Sequence, residues 1–421
     1  MKDQMGRRRF LAISATTAVV GMTRLGWAGE GPSVDKPAAA AGDRALNDYL
    51  VGEISASALK ANLAVIRREL KPTTKLCFVA KANCYGHGWL QCHEAVASLA
   101  DWVAVATPEE ALAVRQSGWR GPLILFMASG FPGATARERL RTLISQEVTL
   151  TLAAPSDLAT ISAVAAEAGQ PAQVHVKIDT GMSRSGVLPD DAPVLVHQAR
   201  RQAGVALTGV YTHFAAADEQ DKTSAREQLA RFLAAVQACG RDADGLIRHA
   251  AASAATIDLP ESHLDMVRVG TAIYGHQPSD EMLRQLPLRG VLRLVGRLTQ
   301  VKDVPAGWRV GYGRTYRFDR PAKIGLVPIG YADGYWRSFS NRAVMRIGGL
   351  AVPVRGRVCM DQTIVELTGL PNVKVGDEVE IVSPDAQAPN SIENLARLAG
   401  TIPPEVMSRF GGARMRRVAT T

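Results

Sequence analysis

"WVAVATPEEALAV", Trp102 to Val114, holds one complete strand-to-helix unit. Its first five residues are apolar and rich in valine, too short for a helix, and read as a buried strand. Thr107 then serves as a helix N-cap, Pro108 takes the first helical position, and Glu110 completes a capping box. The unit recurs on both sides. Short apolar runs lie at "KLCFVA" (75–80), "WVAVA" (102–106), "PLILFM" (122–127), "VTLTLA" (148–153), "QVHVKI" (173–178), "LTGVYTHF" (207–214), "LIRHAA" (246–251) and "MVRVG" (266–270). Helical patterns separate most of them. Eight such units predict an α/β fold of the closed (β/α)8, TIM-barrel type. A doubly wound sheet is the competing arrangement, but no glycine-rich dinucleotide loop follows the first run.

Beyond about residue 290 the texture changes. "LVGRLTQVKDV", "KIGLVPIG", "AVMRIGG", "LAVPVRGRV", "TIVELTG" and "VGDEVEIVS" alternate in period two and are punctuated by Gly and Pro. A helix is expected around Ile392 to Leu398, before the basic tail "GGARMRR". The chain therefore divides into a barrel over residues 46–290 and a C-terminal, mainly-β domain over 291–421.

The N-terminus is of another kind. "GRRRFLAISATTAVVGMTRLGWAGEG" carries Arg7, Arg8, Arg9 and Phe10, a short apolar run from Leu11 to Met22, and a small-x-small cleavage site at Gly26-Trp27-Ala28. Residues 1–28 read as an export signal of the twin-arginine type, and 29–45 as a Pro/Ala/Gly linker. The expectation is a periplasmic protein with no membrane anchor once the signal is removed. The signal takes +4 of the formal +9 with it, leaving about +5 with no arginine-rich or aromatic-interleaved patch, so nucleic-acid binding is not expected. No run approaches the ~20 apolar residues of a membrane span. The five cysteines, Cys77, Cys84, Cys92, Cys239 and Cys359, lack zinc-type spacing, and one disulfide among the first three suits an oxidising compartment.

Barrel enzymes build their sites at the C-terminal ends of the strands. Those ends supply Lys81 in "VAKANCYGHGW", Lys177 with Arg184, His213, Ser253, and Arg268 with Tyr274 just beyond. A strand-end lysine taken singly is ordinarily structural. Here one face collects a lysine, arginines, a histidine, a hydroxyl and tyrosines, which suits an anionic, aromatic aldehyde: pyridoxal phosphate. A desolvated lysine has a lowered pKa and can condense with such an aldehyde.

"VAKANCYGHG", "KIDTGMSRSG", "GVYTHFAAAD", "VRVGTAIYG", "VGYGRTY", "IGYADGY" and "GRVCMDQ" follow the order and approximate spacing of the alanine racemase family, which this chain resembles from about Gly52 to Arg409. The resemblance implies a two-base racemase of L- and D-alanine. Lys81 matches the cofactor-binding lysine and one base. Tyr312 matches the opposing base, which the family supplies from the other subunit of a homodimer. Tyr85, Ser253 and Tyr274 match positions around the phosphate, and His213 a histidine near the ring face. Arg184 matches an arginine near the phenolic oxygen, Lys177 a lysine that is often carboxylated, and Arg268 the arginine facing the pyridine nitrogen. Met360 and Asp361 match substrate-carboxylate residues from the second subunit, and Tyr331 a gate on the entry path.

Elementary chemistry supports these roles. Racemisation removes a proton from one face and returns one to the other, so two bases on opposite faces suffice. Arginine does not readily give its proton to a ring nitrogen, so the cofactor beside Arg268 stays a weaker electron sink. Each residue also has a plainer structural role: Ser253 as an N-cap, Lys177 with Asp179 as an ion pair, Tyr312 as a β-domain aromatic. One departure stands out. Gly412 occupies the place of a family tyrosine near the phosphate, which opens the reading of a broad-specificity exported racemase acting on lysine, arginine or serine. Decarboxylases of basic amino acids share the architecture but pair the pyridine nitrogen with an acid. Non-catalytic cofactor carriers lack the β domain.

Overall fold

The computed structural model describes residues 48–131, 133–411 and 414–421. The stretches expected to be an export signal (1–28) and a linker (29–45), together with Gly412, lie outside the described residues.

After a first strand, β1 (Leu50–Ser55), eight strands follow in parallel: β2 (Lys75–Val79), β3 (Trp102–Val105), β4 (Leu123–Ala128), β5 (Val148–Leu152), β6 (Ala172–Lys177), β7 (Val205–Tyr211), β8 (Ile247–His249) and β9 (Met266–Val269). Each begins and ends within three residues of its apolar run. Their ladder order is β8-β7-β6-β5-β4-β3-β2-β9. Two backbone bonds join the ends of the ladder, Asp265 N to Arg248 O at 3.1 Å and Arg268 N to Ala251 O at 2.9 Å. The result is a TIM-type barrel.

Period two sorts these strands into two faces. Leu76, Phe78, Val103 and Leu123 pack beneath the helices in the large core, while Cys77, Val79, Trp102, Ala104 and Tyr211 form a smaller cluster inside the barrel. A fully buried Leu, Val or Phe contributes roughly 1.5–3 kcal/mol, so this sorting fixes the register. His175, Lys177, His249 and Arg268 share the inward parity and are all buried. Polar groups therefore enter the barrel interior beside the small apolar cluster.

The capping box forms as expected. Thr107 Oγ1 accepts from Glu110 N at 3.3 Å, and Glu110 Oε2 accepts from Thr107 N at 3.2 Å. Its other oxygen accepts from Asn83 N at 3.3 Å, linking this helix to the turn after Lys81.

β1 corrects the domain assignment made from sequence, which placed everything from residue 46 in the barrel. It lies between β10 (Leu292–Arg297), antiparallel, and β19 (Arg416–Thr420), parallel. The C-terminal domain thus takes a strand from each side of the barrel in sequence. The chain enters the barrel through the helix Ala56–Glu69, which Ser55 caps by accepting from Ala58 N at 3.1 Å.

The remaining strands are β11 (Gln300–Val304), β12 (Arg309–Val310), β13 (Tyr316–Arg317), β14 (Ala322–Val327), β15 (Val344–Ile347), β16 (Leu350–Pro353), β17 (Thr363–Glu366) and β18 (Glu378–Val382). They form a six-stranded sheet β16-β15-β18-β10-β1-β19, a three-stranded sheet β11-β14-β17 and the ribbon β12-β13. "LVGRLTQVKDV" splits into β10 and β11, in different sheets. Leu298 N bonds Asp377 O at 3.0 Å and Thr299 N bonds Leu326 O at 2.9 Å, so the chain changes sheets between adjacent residues. The expected C-terminal helix spans Ile392–Ala399. No helix among the described residues is long and apolar enough to cross a membrane, and all five cysteines are free.

Candidate active site

Lys81 stands just past the end of β2, and the chain beyond it takes an unusual path. Ala82, Asn83, Cys84 and Tyr85 all have φ between 49° and 57°. Such left-handed backbone costs non-glycine residues about 1–2 kcal/mol each, so surrounding bonds must impose it. Cys84 N donates to Ala80 O at 2.7 Å, Asn83 N to Glu110, and Trp89 N to Asn83 Oδ1 at 2.9 Å. The turn carries Tyr85 back beside Lys81, whose Nζ lies 5.7 Å from the Tyr85 ring centroid. Burial, and then Arg184, lower the Lys81 pKa, with Glu110 opposing.

The second wall comes from β8 and β9. Ser253 is the first residue of the short helix Ser253–Asp258, and its N-cap is Ala252, so it is not the cap. Its Oγ accepts from Gly270 N at 3.1 Å and Ala272 N at 3.4 Å, pinning the loop after β9. Gly270 is required by close approach: a Cβ there would stand 2.6 Å from Tyr85 Oη. Tyr274 is fully buried, and its hydroxyl donates to Val79 O at 2.9 Å. It meets the site through its ring, 5.0 Å from that of Tyr85, with its hydroxyl already engaged.

The third part is cationic. Arg268, on β9, donates to His249 Nδ1 at 2.9 Å, Thr212 O at 2.7 Å, Ala250 O at 2.9 Å and His213 Nδ1 at 3.3 Å. Burial brings its pKa down to about 10, still protonated near neutrality. His213 lies well below its ordinary value because of burial and then Arg268, Arg184, Lys81 and Lys177. It is a neutral imidazole accepting at Nδ1, with its proton on Nε2.

Lys177 donates to Ser185 Oγ at 2.7 Å and makes no ion pair with Asp179. Asp179 instead accepts from the backbone N–H groups of Gly181, Met182, Ser183 and Arg184 at 2.9 to 3.0 Å, shaping the loop that carries Arg184. Burial, then Arg184 and Arg268, lower the Lys177 pKa to about 8. Its ordinary value is 10.5, so between the two the unfolded chain binds more protons than the folded one. The stability of the cofactor-free protein should therefore rise as pH increases across that window. Chemical denaturation across it tests this, and Lys177→Met should flatten the rise.

Lys81, Lys177, Arg184 and Arg268 thus converge with no salt bridge to a carboxylate among the described residues: besides burial, Arg184 lowers Lys81, Arg184 and Arg268 lower Lys177 against the pull of Asp179, and all four lower His213. Such a donor set fits an anionic ligand, and the Tyr85–Gly270–Ser253 cradle fits a group tethered at Lys81. Tyr312, Tyr331, Met360 and Asp361 are not brought to this face: no hydrogen bond among the described residues joins them to it. They lie exposed on the β domain, Tyr312 at 69% and Met360 at 59%. Tyr331 N and Ala332 N bond Cys359 O and Met360 O at 3.0 and 2.9 Å, which places those segments side by side. Gly311, at φ 73°, sets the Tyr312 turn against Arg357.

Some contributors escaped sequence reasoning. Gln228 Oε1 accepts from Ala215 N at 2.8 Å, and its Nε2 donates to Thr180 Oγ1 and His213 O, both at 3.2 Å. It ties the Arg184 loop to the end of β7. The signal was present: Gln228 falls on the apolar stripe of Ala225, Leu229 and Phe232 in its helix, and a polar residue there is a buried one.

Comparison with known proteins agrees with this architecture. The model of the alanine racemase N-terminal domain matches residues 54–278, and that of the C-terminal domain matches 291–419. The alanine racemase of Desulfovibrio desulfuricans is 40% identical over 364 residues, covering 85% of this chain and 95% of the relative. That of Methanococcus maripaludis is 38% identical over 354 residues, covering 83% and 93%. Among solved structures, alanine racemase from Streptomyces lavendulae superposes with a TM-score of 0.82 at 36% identity, covering 89% of this chain and 97% of the other. The biosynthetic alanine racemase of Pseudomonas aeruginosa gives 0.75 at 32% identity, covering 89% and 99%. The family models, the curated relatives and the structural neighbours together define an isomerase of amino acids. The chain belongs to the alanine racemase family.

Proposed function

We propose that this protein interconverts L- and D-alanine with pyridoxal phosphate, using Lys81 and Tyr312 of the partner subunit as bases. The observation that carries the reading is the cationic set at the barrel mouth, with no salt bridge among the described residues, around a lysine of lowered pKa. When bound, pyridoxal phosphate supplies an aldehyde and an electron-withdrawing ring. Lys81 Nζ holds the cofactor and moves a proton on one face of the substrate. The Tyr85 hydroxyl and the loop pinned by Ser253 border the phosphate, with the Tyr274 ring as backing. Arg184 would lie toward the phenolic oxygen and would be held there by Lys177 in its carbamate form. With its pKa of about 8, Lys177 has an amine fraction free to take up carbon dioxide as a carbamate, releasing a proton. Arg268 would face the pyridine nitrogen as a charged donor and would leave it unprotonated. This favours racemisation over decarboxylation chemistry, which relies on an acid there.

The homodimer belongs to the same proposal. Tyr312, Tyr331 and Met360 form an exposed aromatic and apolar surface in the single chain, the kind of surface that marks an interface. In the dimer they complete the partner's barrel, with Met360 and Asp361 at the substrate carboxylate and Tyr331 on the entry path. We further propose export to the periplasm by the twin-arginine route, which carries the protein folded with its cofactor. Chiral conversion of alanine by the purified holoenzyme tests the activity, and no conversion overturns it. The same assay with serine, lysine and arginine measures the range that Gly412 leaves open.

A further inference from the structure

The barrel floor holds a chain of buried polar groups whose direction follows from donor chemistry alone. Arginine has only donors. Arg268 Nη1 lies 2.9 Å from His249 Nδ1, so that nitrogen must present its lone pair. The proton of a neutral His249 is then on Nε2, which lies 2.9 Å from His175 Nδ1 and donates to it. His175 in turn carries its proton on Nε2, which is buried with no hydrogen-bond partner. Every link is fixed by the one before it. The reverse order would set an imidazole N–H against a guanidinium N–H.

The surroundings hold both rings still. Tyr211 stacks on His249 with centroids 4.7 Å apart and planes 9° from parallel. Its hydroxyl is 2.8 Å from Thr151 Oγ1, which itself donates to Leu125 O at 2.6 Å, so Tyr211 donates to Thr151. His175 lies against Trp102 and fills the space left by Gly209, where a Cβ would stand 2.7 Å from the ring. Burial and Arg268 hold both imidazoles neutral, His175 down at about 3. Among the described residues, no carboxylate acts on either ring to stabilise a positive charge.

We propose that His249 and His175 are positioning residues for the racemase reaction: they form a one-way hydrogen-bond chain that orients Arg268 and, on the side away from His213, ends without a group that could keep its proton. A proton passed from Arg268 along this chain would end on His175, where no acceptor or counter-charge among the described residues awaits it. Arg268 therefore stays a cation with a fixed face toward the substrate side. The inference rests on the reading of Arg268 as the residue facing the pyridine nitrogen. The chain itself exists without the cofactor and is tested without it.

The test is the imidazole nitrogen spectrum of isotope-labelled protein, in holoenzyme and cofactor-free form, across the neutral pH range. The expected result is two neutral, Nε2-protonated rings at His175 and His249, unchanged by pH. A doubly protonated or Nδ1-protonated ring at either position overturns the proposal. Two variants then address function. His175→Phe removes the acceptor for His249, whereas His175→Gln keeps one. The Phe variant should raise the fraction of turnovers ending in transaminated cofactor about tenfold, the usual scale for residues behind a site, and the Gln variant should restore it. Equal product ratios in a folded Phe variant would also overturn the positioning role. A protonated pyridine nitrogen alongside the expected tautomers would instead overturn the reading of Arg268 and leave the chain standing.

Discussion

Lys81→Ala should abolish racemisation, lowering kcat/KM by roughly ten-thousandfold, the upper end of what one acid–base group supplies. The loss has two sources. Lys81 Nζ is the amine placed beside Tyr85 and Arg184 at the end of β2, so its removal ends covalent attachment of the cofactor. The same amine moves the proton on its face of the substrate, so an added primary amine should restore attachment more readily than turnover. Two measurements separate these effects. Borohydride treatment of wild-type holoenzyme should join the cofactor irreversibly to the Lys81 peptide, while the variant should remain unlabelled there. Retention of substantial racemisation by Lys81→Ala would mean that another group acts as the base. The fold should survive the change, because the Lys81 side chain makes no hydrogen bond among the described residues and relief of a partly buried cation is favourable.

The parts of this site that sequence exposes are those governed by short-range rules. Apolar runs bounded by turns locate eight strands, because a strand buried on both faces has no polar positions to spare. Strand parity then predicts which residues face inward, and the C-terminal strand ends give Lys81, Lys177 and Arg268. The Thr107–Glu110 capping box is legible for the same reason: its geometry closes within four residues.

What sequence hides is non-local or runs against propensity. β1 pairs Glu53 with Arg293, a partnership no local pattern records. The tail "GGARMRR" reads as basic surface, yet Arg416 and Arg417 pair in parallel with Val51 and Gly52. The left-handed turn at Ala82–Tyr85 contains no glycine to announce it, and only tertiary bonds to Glu110 and Ala80 hold it. The hydroxyl of Tyr274 is bound to Val79 rather than presented to the site. Residue identity cannot reveal such a commitment, because a tyrosine can be a wall or a donor and only its neighbours decide.

Tyr312→Phe gives the second large effect, and its form separates a two-base site from a one-base site. The equilibrium constant of racemisation is unity, so kcat/KM must fall equally in both directions, by about a thousandfold for loss of one base. Proton exchange escapes this constraint. With Lys81 intact, the α-hydrogen of one enantiomer should still exchange with deuterated water, while that of the other should not. Exchange of both at wild-type rates would show that Tyr312 is not the opposing base. The residue's position adds a sharper test. It is 69% exposed in the single chain, and the proposed homodimer would place its partner site in another subunit. Mixing and reassembling the nearly inactive Lys81→Ala and Tyr312→Phe proteins should then regenerate about a quarter of wild-type activity, since half the dimers are mixed and each holds one intact site. Sites built within one chain would give only the sum of the two residual activities. Recovery on mixing would establish both the shared site and the two-fold assembly, because neither chain carries Lys81 and Tyr312 together.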